Sequence, residues 1–163
     1  MNAATCTYCL DTSVLIELQR GTYRRAVFPG IWEDLEQLVV DGRMVAPREV
    51  RRELEDARDE LTTWVKGHKG IFLDPDPAEY PLVGSIQQRF STASTVWLTK
   101  TPHADPWIVA MARNRRLVVI TAERWGQSVK NPKLPYVCDE FNVRWLNIVD
   151  FLSDEGLSYP SPR

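Results

Sequence analysis

Four carboxylates in this sequence stand where predicted strands and helices meet. Asp11 and Glu123 each follow an apolar segment, Asp105 begins a predicted helix, and Glu53 lies within a charged one. Since open parallel α/β sheets place their ligand sites beside the carboxyl ends of the strands, these four side chains can converge on one edge. Two carboxylates about 4 Å apart repel by roughly 4 kcal/mol at an effective dielectric constant near 20. Such a cluster needs protons or cations, and the hard ions Mg²⁺ and Mn²⁺ suit carboxylate oxygens.

Each of these acids also has a purely structural explanation. Asp11 can cap the helix predicted after it, and Asp105, followed by Pro106, is an even better cap. Glu53 can be one of several solvated charges, and Glu123 a first-turn acid that interacts favourably with a helix dipole. Taken singly, the two aspartates are better explained as caps, so only the joint pattern indicates a site.

The elements that must position these acids alternate along the chain. Apolar runs predict strands, and apolar residues at helical spacing predict helices. The alternation of short apolar strands with helices indicates a three-layer α/β/α fold with a short central parallel sheet. The predicted strands cover residues 7–10, 44–46, 71–73, 117–120 and 143–145, and the predicted helices cover 12–18, 29–40, 47–55, 60–68, 80–90, 106–116 and 148–152. Pro47 is expected as the first residue of its helix, and residues 91–102 as a loop over the site.

Composition indicates an ordinary globular chain. Its 163 residues are 44% hydrophobic and 26% charged, with a net charge of −2, so we expect a single domain (1–163) with a core over about 7–152 and a loose tail over 153–163. No apolar run approaches a membrane span, and the start shows no secretory signal. We therefore expect a cytoplasmic protein that contacts no membrane.

Cys6 and Cys9 form a C-x-x-C motif, which can indicate a redox pair or half of a zinc site. No second such motif follows, and His68 and His103 are the only histidines. Two small apolar residues in a buried strand explain the motif better.

The ordered set of motifs resembles the PIN domain, a family of metal-dependent ribonucleases that includes the VapC-like toxins of bacterial toxin–antitoxin pairs. The set comprises an acid with two hydroxyls after the first strand, Pro-x-x-Val-x-x-Glu-Leu, Ala-Asp-Pro-x-Ile-x-Ala-x-Ala, and an apolar strand followed by Thr-x-Glu. It covers residues 8 to about 152. The close of the chain, 135–152, is also similar to a PIN-like subgroup of uncharacterised bacterial proteins.

The resemblance implies roles for individual residues. Asp11, Glu53 and Asp105 match the first three acids of the family, and Glu123 stands where the family usually has a fourth, an aspartate. Asp11 and Asp105 are the best candidates for direct metal ligands, and Glu53 and Glu123 complete the metal shell or orient the attacking water. The supporting hydroxyls are those of Ser13 and Thr121, whereas Glu49, Glu55 and Asp139 are weaker candidates.

The implied activity is an endoribonuclease that hydrolyses RNA phosphodiester bonds with Mg²⁺ or Mn²⁺. A bound divalent ion lowers the pKa of water and stabilises the leaving oxygen, so no serine, cysteine or histidine nucleophile is needed. The implied partners are RNA, a protein antitoxin and a second copy of the chain.

Local basic residues can bind RNA phosphates despite the negative net charge. The candidates are Arg24, Arg25, Arg51 and Arg52, although solvated charge explains each of them equally well. Trp97 is the tryptophan that we consider for base stacking, and His103 is expected at the surface without a role.

Two other functions remain open. The first is a PIN-like domain without catalysis that binds RNA or supports assembly. The second is an α/β domain for a nucleotide, against which the lack of G-x-G-x-x-G and of a P-loop counts.

Overall fold

The computed structural model of the protein describes residues 7–55 and 60–158, and these form a five-stranded, wholly parallel sheet in the order β3-β2-β1-β4-β5. The strands are β1 (Tyr8–Leu10), β2 (Met44–Pro47), β3 (Phe72–Leu73), β4 (Val118–Ile120) and β5 (Trp145–Leu146). The predicted α/β fold with a parallel sheet is confirmed.

The described residues form nine α-helices, eight between the strands and one after the last strand. They are α1 (Thr12–Arg20), α2 (Pro29–Val40), α3 (Arg48–Glu55), α4 (Glu60–Gly67), α5 (Glu79–Arg89), α6 (Thr95–Thr99), α7 (Asp105–Arg115), α8 (Leu134–Glu140) and α9 (Ile148–Asp154). Helices α1, α3 and α4 pack on one another, whereas α7 packs on β1, β2 and β4 with α5 and α8 beside it. Because parallel crossovers are right-handed, the steps from β1 to β3 and the steps from β3 to β5 place their helices on opposite faces.

The continuous apolar sequence of β1 and β4 is explained by their burial. Every residue of β1 and β4 is buried, since helices cover both faces of a parallel sheet and leave no polar side. Tyr8 pairs with Val118 and Leu10 with Ile120. This register brings the carboxyl ends of the two strands level with each other.

Several predicted boundaries are wrong, each for a local reason. Pro47 does not open α3 but ends β2, an inner strand, where it pairs with Leu73 of the edge strand β3. The fixed φ of proline and its missing N–H are tolerated at the end of a strand as well as in the first turn of a helix. The last strand begins at Trp145 rather than at residue 143, because the N–H of Val143 donates to the Cys138 carbonyl and closes the turn after α8. Helix α8 was not predicted, and α6 lies inside the segment predicted as a loop.

The expected loose tail is also wrong for the part that is described. Arg43 donates to Glu155 across 2.8 Å, and the Tyr8 hydroxyl donates to the same carboxylate. These bonds tie the end of the chain to the first strand. Residues 159–163 lie outside the described part.

Cys9 and Cys138 are free and buried, and burial raises the pKa of the Cys9 thiol. This agrees with an apolar role for Cys9, while Cys6 lies outside the described residues. Over 7–55 and 60–158, no helix has the length and apolar character that crossing a bilayer requires.

Candidate active site

The acids predicted as a site lie at the point where the sheet reverses its direction of growth. The chain extends the sheet from β1 through β2 to β3, then returns to add β4 and β5 on the other side of β1. Open α/β sheets bind ligands in the crevice beside the carboxyl ends of strands at such a switch point. Asp11 follows β1 there, and its N–H donates to the Ile120 carbonyl of β4 across 3.0 Å.

Asp11 is buried, with 4% of its surface exposed. The hydroxyls of Ser13 and Thr121 both donate to its Oδ2, the latter across 2.8 Å. It precedes α1 but makes no side-chain capping bond, so the capping explanation fails. Burial, reinforced by the charges of Asp105 and Glu123 and opposed by the two hydroxyls, raises the pKa of Asp11 from 3.8 to about 7.

A hydrogen-bond network fixes these hydroxyls. Ser13 Oγ accepts the Ala122 N–H at 3.0 Å, and Thr121 Oγ1 accepts the Glu123 N–H at 3.0 Å. Ser13 and Thr121 therefore hold Asp11 where the resemblance placed supporting hydroxyls.

Asp105 is the first residue of α7 rather than its cap. Ala104 holds the cap position, and no side chain caps this helix. The Asp105 carboxylate is mostly buried, with Oδ2 3.8 Å from His103 Nε2. Its charge raises the pKa of both Asp11 and Glu123, so the three acids share one electrostatic environment.

Glu123 lies in an irregular segment after β4, not in the first turn of a helix. The N–H of Leu134, at the start of α8, donates to its Oε2 across 2.8 Å. Burial raises the pKa of Glu123 and Asp105 adds to the shift, while the Leu134 N–H, Lys133 and Lys100 oppose it.

Glu53 is held differently from the other three acids. Its side chain is 10% exposed, so it is not a solvated charge. Oε2 accepts the Thr12 hydroxyl at 2.5 Å, and Oε1 accepts the Ala104 N–H at 3.1 Å and the Lys100 ammonium at 3.0 Å. Both oxygens have partners, so Glu53 in this conformation joins α1, α3 and the start of α7.

Lys100 supplies the positive charge in this cluster. Burial by itself lowers the pKa of its ammonium, but the hydrogen bond that it donates to Glu53 and the charges of Glu53, Asp105 and Asp11 hold that pKa above its ordinary value. The segment that carries Lys100 includes α6, none of whose residues is buried.

The donor chemistry fits a hard divalent ion. Asp11, Asp105 and Glu123 offer oxygen donors only, which is the ligand chemistry of such ions. Burial is the main cause of the raised pKa of Asp11, and the charges of Asp105 and Glu123 add to it. In the observed conformation, no three Asp, Glu, His or Cys side chains of the described residues are close enough to hold one ion. Binding would therefore require side-chain rotation, and Glu53 would have to exchange partners to become a ligand.

A cavity of about 480 Å³ opens on two of these acids, Asp105 and Glu123. Its lining includes Trp97, Lys100, His103, Asp105, Glu123 and Lys133.

The predicted RNA-binding arginines lie elsewhere. Arg51 pairs with Glu55 at 2.8 Å and Arg25 with Glu36 at 3.7 Å, while Arg52 lies 3.7 Å from the buried Glu49. Arg24 donates to the Gly21 carbonyl. None of the four arginines lines the cavity beside Asp105 and Glu123.

The weaker acid candidates are engaged in structural contacts. Glu49 accepts from Arg48, and Glu55 pairs with Arg51. Asp139 accepts the indole N–H groups of Trp125 and Trp145.

Three residues of the site were missed from the sequence. Thr12 was signalled only by standing beside Asp11, and Lys100 lay in a segment without a readable pattern. His103 was expected at the surface, but its side chain is only 12% exposed and packs edge-on against Trp97.

Residues 8–159 match the model of a family described as a domain of unknown function, DUF4411. No curated protein matches the sequence of this chain.

Solved structures with similar folds include the following three. DNA-bound VapBC from Salmonella typhimurium has 18% sequence identity and a TM-score of 0.52, over 88% of this chain and 98% of that one. FitAcB from Neisseria gonorrhoeae has 17% sequence identity and a TM-score of 0.54, over 86% of this chain and 97% of that one. VapBC2 from Rickettsia felis, bound to a DNA fragment from its promoter, has 13% sequence identity and a TM-score of 0.53, over 86% of this chain and 98% of that one. These likenesses confirm the PIN-like, VapC-like fold that the resemblance implied.

Proposed function

Because the chain belongs to the DUF4411 family and has a VapC-like fold, we propose that it is a metal-dependent endoribonuclease that hydrolyses RNA phosphodiester bonds. We further propose that it is the toxin of a type II toxin–antitoxin pair. The observation that carries the enzymatic proposal is the placement of Asp11, Asp105 and Glu123 beside the switch point of the sheet, where burial and the charge of Asp105 raise the pKa of both Asp11 and Glu123.

The proposed metal ligands are Asp11 and Asp105, with Mg²⁺ or Mn²⁺ as the ion. When bound, such an ion lowers the pKa of water and stabilises charge on phosphate oxygens. Ser13 and Thr121 hold Asp11 Oδ2 through their hydroxyls, which fixes the direction of this carboxylate.

The two glutamates act beside these ligands. Glu53 accepts the Ala104 N–H and so sets the position of Asp105, the next residue. Glu123 is anchored through Oε2 by the Leu134 N–H, and we assign it to orienting the attacking water.

The similar structures are of VapBC and FitAcB, two of them with DNA, and they support a protein antitoxin as the partner. We propose an antitoxin protein as the partner of this chain, RNA as its substrate, a homodimer as its assembly and the cytoplasm as its location.

One observation favours an alternative, a PIN-like module that binds RNA without cleaving it. Lys100 pairs with Glu53 at 3.0 Å, and the described acids do not gather three ligands around one point. A domain that had lost its metal would gain from such a built-in cation.

Cleavage of total cellular RNA by the purified protein separates the two functions. The assay compares EDTA, Mg²⁺ and Mn²⁺, with Asp11→Asn beside the unmodified chain. Cleavage that needs the metal and is lost in Asp11→Asn supports the nuclease. Absence of cleavage under every condition, together with no heat of metal binding in calorimetry, would replace it with the RNA-binding module.

A further inference from the structure

The cavity beside the acids has walls of opposite charge. Asp105 and Glu123 line it together with two lysines, Lys100 before α7 and Lys133 before α8. Its volume of about 480 Å³ falls within the range of small-ligand sites. An acidic pocket alone repels a polyanion, so the placement of the ammonium groups decides what this cavity can hold.

Lys100 approaches from the side of Glu53. Its ammonium lies 3.0 Å from Glu53 Oε1, yet its side chain is 49% exposed. The nearby helix α6 buries no residue. The Ser94 side chain caps α6 by accepting the Trp97 N–H, and the Ser94 backbone N–H donates to the Lys130 carbonyl. Lys100 can therefore turn its ammonium towards the cavity without disturbing the core.

Lys133 approaches from the side of Glu123. It is exposed and holds the cap position of α8, and the next residue, Leu134, donates its N–H to Glu123. The charge of Lys133 opposes the raised pKa of Glu123. This lysine is thus placed by the same backbone contact that places an acid of the site.

We propose that this cavity is a subsite for the RNA backbone, in which Lys100 and Lys133 contact phosphate oxygens on either side of the acids. The inference rests on the proposed function, because it names how that site attracts its substrate. It also replaces Arg24, Arg25, Arg51 and Arg52, none of which lines the cavity. Binding RNA would draw Lys100 away from Glu53 and leave the Ala104 N–H as the partner of Oε1 of that carboxylate.

The test measures binding separately from cleavage. Asp11→Asn is the parent, and a fluorescein-labelled single-stranded RNA is titrated in Mg²⁺ at several salt concentrations, with fluorescence anisotropy as the readout. Lys100→Gln and Lys133→Gln are compared with Lys66→Gln, a matched control at an exposed lysine of α4.

We expect each of the two cavity variants to bind about fivefold more weakly at 0.1 M salt, because one phosphate contact is lost. The slope of log K against log salt should fall in magnitude by about 0.7 for each lost contact. Lys66→Gln should match the parent in both quantities.

The inference is overturned if the parent binds no RNA, or if both cavity variants bind like the control. Should Lys100→Gln fold poorly, as shown by circular dichroism, Lys133→Gln decides the outcome alone, since Lys133 is exposed.

The failure of the subsite and the failure of the nuclease give different results. Metal-dependent cleavage by the unmodified chain, combined with unchanged binding in both lysine variants, retains the nuclease and rejects the subsite. Lysine-dependent binding without any cleavage retains the subsite and rejects the nuclease.

Discussion

The backbone N–H of Ala104 donates to Glu53 Oε1 across 3.1 Å. This bond joins a side chain of α3 to the residue just before Asp105, so the second acid of the site positions the third. Glu53 thus has a structural effect on the site in addition to the role implied by the family resemblance.

Glu53→Ala should therefore lower stability as well as activity. Removing this carboxylate leaves the Ala104 N–H and the Thr12 hydroxyl without their acceptor, and an unsatisfied buried group costs about 1–3 kcal/mol. Glu53→Gln should recover much of this loss, because an amide oxygen can still accept from Ala104. Urea denaturation measures both variants.

Glu55 in the same helix provides the control, since it is exposed and pairs only with Arg51 in the described part of the chain. Glu55→Ala should change the free energy of unfolding by about 0.5 kcal/mol at most. Equal losses for Glu53→Ala and Glu55→Ala would remove the positioning role.

Asp11 should make stability depend on pH in the metal-free protein. Its pKa is about 7 in the folded protein and ordinarily 3.8, so the folded state binds the proton more tightly than the unfolded state. The contribution of protonated Asp11 to stability is complete below about pH 4 and is lost as the pH rises to about 7 and above.

Comparison with Asp11→Asn isolates this effect from the other titrating groups. The asparagine variant should become the more stable of the two as the pH rises from about 4 to 7 in EDTA. Parallel stability curves over that range would contradict the assigned environment of Asp11.

Divalent metal should stabilise the unmodified chain. Because the ion binds the ionised Asp11, it should also offset the loss of stability that occurs in EDTA as the pH rises. Ligand that binds only the folded state adds about 2.7 kcal/mol at a concentration about 100 times Kd. Thermal unfolding with Mg²⁺, Mn²⁺ or EDTA should show the gain in the unmodified chain and in Asp74→Asn, an exposed acid outside the cluster. Asp11→Asn and Asp105→Asn should show little of it, and a full gain in both would reject the proposed ligands.

Expression in a bacterial host should test the proposed toxin role. The unmodified chain should slow growth by cleaving RNA, whereas Asp11→Asn should not, provided that immunoblotting shows equal amounts. Growth that is equally normal for both proteins, in a host without the neighbouring antitoxin gene, would count against a toxin.

The sequence was sufficient to place the acids but not to show how they are held. Asp11 and Thr121 follow buried strands, as predicted from the continuous apolar runs before them. The residues after neighbouring parallel strands meet at one edge of the sheet. The sequence could not show that both carboxylate oxygens of Glu53 have partners, because one of these partners is Lys100. That lysine lies in residues 91–102, which lack apolar periodicity since α6 buries no side chain.

Other differences come from residues that serve two conformations equally well. Pro47 suits the end of a strand and the start of a helix, and only its pairing with Leu73 decides between them. Similarly, apolar Val143 looks like part of a strand, but its N–H is used by the preceding turn.

The contact between Thr121 and Asp11 joins residues 110 positions apart in the chain. During synthesis, β1 emerges before β4 and cannot pair with it until the intervening residues, which form β2, β3 and the helices up to α7, have been made. A nascent chain that ends before residue 118 contains neither the second strand of the switch point nor the Thr121 hydroxyl, one of the two that donate to Asp11. The ribosome that makes this protein is therefore not exposed to an assembled site until most of the chain has been translated.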